Sequence, residues 1–468
     1  MPRLRTLLLL IGDTAILVSS YLVAFFLLRE LNVIPYSEFF DFLLIEEGLL
    51  RIFTVVAPLV ACIYWFGLYE SLRIRSRRIL FENLLLIWGL VFLLQALLSY
   101  TKRDIILSRW IMTYGSALAI VSMIGWRSVF SLFLVRLVGR QRILFLGDTA
   151  LNRELATHIE EHPEKGFQSL GCISIEDTPI TAPFPGNTTF SLRANTDLNA
   201  FMASVLTLKP DRIIVAGQLP SQKFVFQSLL QLSIHSIRIE SAGDLYEILF
   251  QQVSLEAVTT NQLIFSSAFR PSHSRLLVQT SYCWLIAFVG VVFTWPLMIL
   301  TAIAVKLDSE GPALLRQRRV GKNGKVFEIL KFRSMYVDAD KRFGRTRASE
   351  NDPRITRVGK VIRQWRLDEL PQFFNVLNGS MNIVGPRPEM PEYVEELSNA
   401  LPLYPQRLRI KPGITGWAQL HHETEFTTSD TARKIQYDLY YIKNLSPALD
   451  FIIMFHTIRT IVMRIGAR

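Results

Sequence analysis

Cysteine is nearly absent from this chain of 468 residues: Cys62, Cys172 and Cys283 stand far apart and are odd in number. Such a set gives neither a disulfide framework nor the spacing of a zinc site, and it suits a reducing interior. Charged residues are also scarce, at 19% against 50% hydrophobic, and the mean hydropathy is +0.28. Soluble proteins are rarely this apolar, so membrane segments are expected. No helix-turn-helix, zinc-finger or RNA-binding signature occurs. The formal charge of +11 is therefore expected to face anionic lipid or phosphate, and nucleic acid is not an expected partner. The N-terminus is basic and then apolar but lacks a small-residue cleavage site, which predicts a retained first span. Internal repeats and low-complexity tracts are absent too.

What is present begins with four apolar stretches, about Leu7–Leu28, Phe42–Leu68, Ile79–Tyr100 and Ile105–Leu134. Each has the ~20 residues needed to cross ~30 Å of hydrocarbon. Arg3 and Arg5 precede the first, Arg73, Arg75, Arg77 and Arg78 fill the second loop, and Arg136, Arg140 and Arg142 follow the fourth. The first loop instead carries Glu38, Asp41, Glu46 and Glu47. The positive-inside rule then puts both ends of this bundle in the cytoplasm, with Lys102 and Arg103 in the third loop weighing slightly against it. Asp13 lies inside the first apolar run, where it is expected to reach the interface or to pair with a neighbouring helix.

From about Gln141 to Ser267 the texture becomes that of an α/β domain, with strands expected at Arg142–Leu146, Gly171–Ile175, Asp211–Ala216 and Ser236–Ile239. Strands alternating with helices predict a parallel, Rossmann-like sheet. A dinucleotide fingerprint needs three glycines so that the backbone can approach a pyrophosphate. The first turn, Gly147-Asp148-Thr149-Ala150, keeps one, so a scaffold with a lost cofactor site is expected. Phe184-Pro185-Gly186-Asn187 marks a loop within this domain.

A fifth apolar segment runs from about Tyr282 to Val305 with Pro296 near its middle, and cations flank both ends: Arg270 and Arg275 before, Lys306, Arg316 and Arg318 after. Both ends thus prefer the cytoplasm. Proline kinks a helix, so a re-entrant hairpin over about 276–306 resolves the conflict; a fifth span would put the rest of the chain outside the cell.

Beyond it, Arg316 to Lys322, Lys331-Phe-Arg333 and Asp352-Pro-Arg354 are rich in cations that could line a phosphate site or face lipid headgroups. Val358, Val361, Ile362 and Trp365 follow helical spacing, as do Leu370, Phe373, Phe374 and Leu377. Asp368 is expected to be the N-cap of the second helix, with Glu369 in its first turn and Gly379 ending it. Caps of this kind are usually structural. Adjacent carboxylates repel unless a cation is shared, however, and that invites Mg²⁺, a hard ion that prefers oxygen ligands. Gly385-Pro386-Arg387-Pro388 supplies an arginine on a stiffened turn. His421, His422 and Glu423 invite a metal as well, but without an i, i+4 pair a solvated loop is expected.

From about Leu276 to Arg468 the chain resembles the bacterial sugar transferases, the monotopic phosphoglycosyl transferases. The matching blocks include Lys306-Leu-Asp-Ser-Glu-Gly-Pro312, Arg319-Val-Gly-Lys322, Lys331-Phe-Arg-Ser-Met335 and Asn351-Asp-Pro-Arg354. They continue with Leu367-Asp-Glu-Leu-Pro-Gln372, Val384-Gly-Pro-Arg-Pro388, Lys411-Pro-Gly-Ile-Thr-Gly-Trp417 and Tyr437-Asp438 to Asn444. The layout resembles the large, exopolysaccharide-initiating branch. That resemblance implies transfer of a sugar 1-phosphate from a UDP-sugar to undecaprenyl phosphate, with release of UMP. It implies Asp368 as the nucleophile that forms a covalent aspartyl-phosphosugar, and Glu369 as its partner, the two holding Mg²⁺. Arg387, framed by Pro386 and Pro388, and Lys331, Arg333 and Arg354 are implied phosphate or nucleotide contacts.

The expected architecture is a membrane α-helical bundle of four spans (1–138), a degenerate Rossmann-like α/β domain (139–269) and a mainly α monotopic catalytic domain with the re-entrant helix (270–468). The expected location is the bacterial inner membrane, multi-pass, with the catalytic domain on the cytoplasmic face. Inner-membrane lipids, downstream glycosyltransferases and a homodimer are the further partners expected. Two alternatives remain. A nucleotide-sugar dehydratase or epimerase would need the missing glycine-rich turn. A membrane sensor or scaffold without activity would leave the C-terminal blocks unexplained.

Overall fold

The computed structural model describes residues 2–31, 47–66, 68–69, 77–99, 107–138, 140–174, 184–185, 189–191, 198–216, 223–234, 237–258, 269–337, 352–421 and 428–462. The chain divides into two compact units, Met1–Ala242 and Gly243–Arg468.

The first unit opens with four helices: α1 (Pro2–Glu30), α2 (Gly48–Trp65), α3 (Arg77–Ser99) and α4 (Arg109–Val138). Each of the four expected apolar stretches contains one of these helices. Leu7–Glu30 and Gly48–Trp65 are long and apolar enough to cross a membrane, while α3 carries a shorter apolar run, Asn83–Ala96. The loop charges used to orient the bundle, Glu38, Asp41, Glu46, Arg73, Arg75, Lys102 and Arg103, lie outside the described residues. Small residues let α1 and α4 approach closely, as in membrane helix pairs. A methyl group added at Gly12 would fall 2.2 Å from the Trp126 ring, and one at Gly115 would fall 2.3 Å from Tyr21. Asp13 does pair with a neighbouring helix. Arg127 of α4 donates to its carboxylate at 2.6 Å with both side chains buried, and donates again to the Leu68 carbonyl at 3.1 Å.

The sheet that follows has five strands, β1 (Gln141–Leu146), β2 (Phe167–Ser174), β3 (Thr189–Ser191), β4 (Arg212–Val215) and β5 (Arg238–Ser241), in the order β3-β2-β1-β4-β5. Every pairing is parallel, and three helices connect the strands, α5 (Ala150–Glu161), α6 (Leu198–Leu208) and α7 (Lys223–Ile234). Ile143 to Leu146 are buried, as a strand covered on both faces requires. The expected Rossmann-like architecture is therefore present, with β3 as an additional strand. Gly186 and Asn187 of the expected loop lie outside the described residues.

The second unit starts before residue 270. After α8 (Ala242–Phe250), the Val253 amide donates to the Gln436 carbonyl, the Trp417 indole donates to the Gln251 carbonyl, and Lys443 pairs with Glu247 at 2.7 Å. The fifth apolar segment is α9 (His273–Asp308), 36 residues long and so about 54 Å at 1.5 Å per residue. Ser272 caps it, accepting from the Arg275 amide, and Pro296 lies inside a helix that is continuous in secondary structure. Several side chains near its centre are exposed, Phe293 at 79%, while Val291 packs against a core. Cys283 and Ala287 in the first half join a core with Ile383, Val384, Tyr441 and Ile453. Met298 and Val305 in the second half join another with Phe332 and Ile362. Both halves thus pack on the same unit.

Candidate active site

A hairpin of β6 (Leu314–Val320) and β7 (Val326–Phe332) carries Lys331. Next comes α10 (Arg357–Gln364), capped at its start by Thr356, which accepts from the Gly359 amide at 2.9 Å. Asp308, at the end of α9, accepts from the Val358 amide at 2.9 Å and fixes α10 to the apolar helix. The chain then reverses at Arg366, whose φ of 55° is left-handed, enters a 3₁₀ turn over Leu367–Glu369, and continues through Pro371 into α11 (Gln372–Leu377). The expected junction between two helices is there, and Gly379 (φ 83°) follows the second. The expected cap is corrected: Pro371 occupies the position before α11, so Asp368 is a turn residue and its side chain is not spent on helix amides.

That leaves the Asp368 carboxylate unusual. Its Oδ1 is buried with no hydrogen-bond partner. Glu369 beside it is held by cations, with Lys331 Nζ at 3.1 Å and an Arg387 guanidinium nitrogen at 3.6 Å. Asn375 of α11 sets this alignment by accepting from the Leu330 amide at 2.9 Å and donating to the Glu328 carbonyl at 2.7 Å. Burial, helped by the neighbouring Glu369 charge, pushes the Asp368 carboxyl up to about 6. Burial would raise Glu369 as well, but Lys331 and Arg387 outweigh it and hold Glu369 well below the usual carboxylate range. Burial lowers Lys331 despite the attraction of Glu369. The pair is thus split into one committed carboxylate and one presented carboxylate.

Arg387 is positioned through its backbone. The strands β8 (Asn382–Val384) and β9 (Gly413–Thr415) run parallel, and the Gly385 amide donates to Thr415 while the Gly413 amide donates to Pro386. The two chains cross so closely that a Cβ on Gly385 would meet the Lys411 carbonyl at 2.6 Å, and one on Gly413 the Gly385 amide at 2.1 Å. Between β8 and β9 lies α12 (Pro391–Ala400), and after β9 come α13 (Trp417–His421), α14 (Thr428–Lys443) and α15 (Pro447–Val462). Arg407 donates to the Arg387 carbonyl at 2.9 Å and pairs with Asp438 of α14 at 2.8 Å, both side chains buried. Lys434 of the same helix pairs with Glu389 at 2.7 Å. Pro386 and Pro388 are buried on either side of the half-exposed Arg387.

Arg333 and Arg354 are engaged by other partners. Arg333 is 5% exposed and donates to the Val305, Ser309 and Glu310 carbonyls, closing the C-terminus of α9. Arg354 grips Asp352 with contacts of 2.6–3.0 Å and is buried with it. Arg407, Asp438, Glu389, Lys434 and Asn375 were not singled out as site residues in the sequence. They act across long chain separations and leave no local signature. His421 bonds to its own helix at the Trp417 carbonyl; His422, Glu423 and Asn351 lie outside the described residues. A hard divalent ion fits the dyad through the partnerless Asp368 oxygen, while Glu369 already has cations beside it.

A sequence model described as Bacterial sugar transferase matches residues 275–464, and one described as CoA-binding domain matches residues 65–241. The chain is 41% identical over 240 residues to a UDP-N-acetylgalactosamine-undecaprenyl-phosphate N-acetylgalactosaminephosphotransferase of Aeromonas hydrophila, covering 51% of this chain and 56% of that protein. It therefore spans a little over half of that relative. It is 30% identical over 406 residues to a UDP-glucose:undecaprenyl-phosphate glucose-1-phosphate transferase of Xanthomonas campestris pv. campestris, covering 84% of this chain and 82% of the relative. A protein of the same description from Escherichia coli (strain K12) is 30% identical over 322 residues, covering 68% and 67%. With the family model and relatives at 30% identity over two thirds or more of their length in agreement, the chain belongs to the bacterial sugar transferase family.

Proposed function

We propose that this protein is a phosphoglycosyl transferase that moves a sugar 1-phosphate from a UDP-sugar to undecaprenyl phosphate and so starts a lipid-linked glycan such as an exopolysaccharide. The observation that carries this is the divided dyad: a buried Asp368 oxygen with no partner beside a Glu369 held by Lys331 and Arg387. An Asp368 oxygen attacks the sugar-side phosphorus, a P–O bond forms, and the bond to the bridging oxygen breaks with its electron pair leaving on UMP. An oxygen of the lipid phosphate then attacks the same phosphorus, the acyl-phosphate bond breaks, and the Asp368 carboxylate is restored. Splitting one displacement into two is what a carboxylate nucleophile offers. Lys331 and Arg387 offset the charge that develops on the non-bridging oxygens. Asp368 and Glu369 would hold Mg²⁺, which would add charge neutralisation there.

In this reading the reaction occurs on the cytoplasmic face of the bacterial inner membrane, with α9 dipping in and returning. A crossing of ~30 Å needs ~20 residues, yet only residues 288–297 separate Ala287 from Met298, and both pack on one unit. Asp368→Asn tests the chemistry. UMP release from UDP-glucose or UDP-N-acetylgalactosamine should vanish, and the wild type without acceptor should carry a phosphosugar on residue 368 by mass spectrometry. Turnover by the variant overturns the assignment.

A further inference from the structure

Behind the site lies a buried polar cluster that the transfer chemistry does not use. Asp450, at the start of α15, is fully buried. Tyr441 donates to its Oδ1 at 2.7 Å, and Gln279 at 2.8 Å and Tyr282 both donate to its Oδ2. The same Gln279 amide nitrogen lies 2.6 Å from the Tyr441 hydroxyl and 3.4 Å from the Val384 carbonyl, and the Gln279 oxygen accepts from Asn382 at 3.1 Å. Gln279 and Tyr282 are three apart on α9 and share a face, whereas Asn382 and Val384 belong to β8, which runs directly into Gly385-Pro386-Arg387.

Its three partners are neutral donors: an amide and two phenols. Burying a carboxylate without a counter-ion is costly, and an apolar replacement of like volume is commonly as stable. A directional, charge-assisted cluster therefore points to geometry more than to stability. What it joins is specific: the first half of the apolar helix to the strand that leads into the Arg387 turn.

We propose that Asp450 is a positioning residue that fixes the height of the Arg387 turn against α9, and thereby aligns the site with the phosphate of a lipid acceptor. This rests on the transfer reaction proposed above. The donor arrives from the aqueous side and meets Asp368 on its own turn. A shift between α9 and β8 moves Arg387 in both half-reactions. A soluble donor can follow the turn, whereas the acceptor phosphate is held at the depth its lipid tail dictates, so the larger loss falls on the second half-reaction.

The test uses the full chain in lipid nanodiscs, with donor-only UMP release read separately from transfer to undecaprenyl phosphate. Asp450→Ala should raise the acceptor KM about tenfold or more, with donor-only UMP release within about threefold of wild type. Asp450→Asn keeps the shape and lets the phenols reorient, so it should recover part of the loss. If Asp450→Ala does not fold, Tyr282→Phe and Gln279→Met take its place, each expected to raise the acceptor KM by a smaller factor. An unchanged acceptor KM in the folded variants, or equal losses in both half-reactions, overturns the proposal while a working wild type leaves the transfer reaction standing. A wild type that releases no UMP from either donor overturns the reaction and this role with it.

Discussion

Two turns of this chain place charged side chains just after a glycine at the end of a parallel strand, and they are built to opposite ends. At Gly147, Asp148 and Arg153 clasp each other through two contacts of 2.6 Å, the Arg153 guanidinium lies over the Phe184 ring, and Asn152 fills the bend by donating to the Leu146 and Gly147 carbonyls. The turn is closed on itself. At Gly385, support comes from below: Arg407 and Thr415 take the backbone, two prolines stiffen it, and the Arg387 guanidinium projects half-exposed beside Glu369. A site that must meet a phosphate keeps its cation presented and its scaffold satisfied. At the Gly147 turn the opposite charges are paired with each other instead.

The largest expected effect is at the open turn's target. Asp368→Asn removes the presented carboxylate, and transfer should fall by on the order of 10⁴-fold or more, measured as UMP release. Arg387→Ala leaves the turn but strips its cation, with an expected loss of ~10²–10³-fold in kcat; Arg387→Lys should recover only part, since a point charge cannot reproduce the fork. Arg407→Met attacks the scaffold. It leaves Asp438 buried and unpaired, which should cost ~3–5 kcal/mol of stability by denaturant unfolding.

Smaller effects lie in pH. The attack needs ionised Asp368, whose carboxyl burial raises to about 6, so kcat/KM should fall as pH drops below about 6. Lys331 favours the ionised form, so Lys331→Met should move this acid limb to higher pH. An acid limb that stays in place would show that another group controls it. Smallest of all, Arg153→Ala opens the closed turn, which the proposed transfer chemistry does not use. Turnover should stay within about twofold, and stability should change by no more than ~1 kcal/mol, as for a partly exposed ion pair. A large loss of turnover there would erase the contrast between the two turns.

The sequence made the ordered blocks legible because they are local. A strand alternating with helices, a proline in an apolar run, and the Gly385-Pro386-Arg387-Pro388 turn all leave marks within a few residues. It was less informative about which cations would answer which need. Arg333 and Lys331 are two apart and equally basic, yet one serves the carbonyls ending α9 and the other serves Glu369, because β7 ends at Phe332. Arg354 was more readable: Asp352 two residues earlier accepts from the Arg354 amide at 3.0 Å, a local turn that an Asp-Pro pair favours. The left-handed Arg366, which turns Asp368 away from a capping role, has no such marker, nor does the 31-residue separation that hides Arg407 from Asp438.

Asp13 and Arg127 set a condition on how the protein is made. The carboxylate leaves the ribosome 114 residues ahead of its counter-ion. Until α4 emerges, α1 carries a lone acid whose cost in hydrocarbon is up to roughly 2.5–3.5 kcal/mol. The first helix is therefore ill-suited to settle by itself, and its permanent seat is available only once the fourth has been translated.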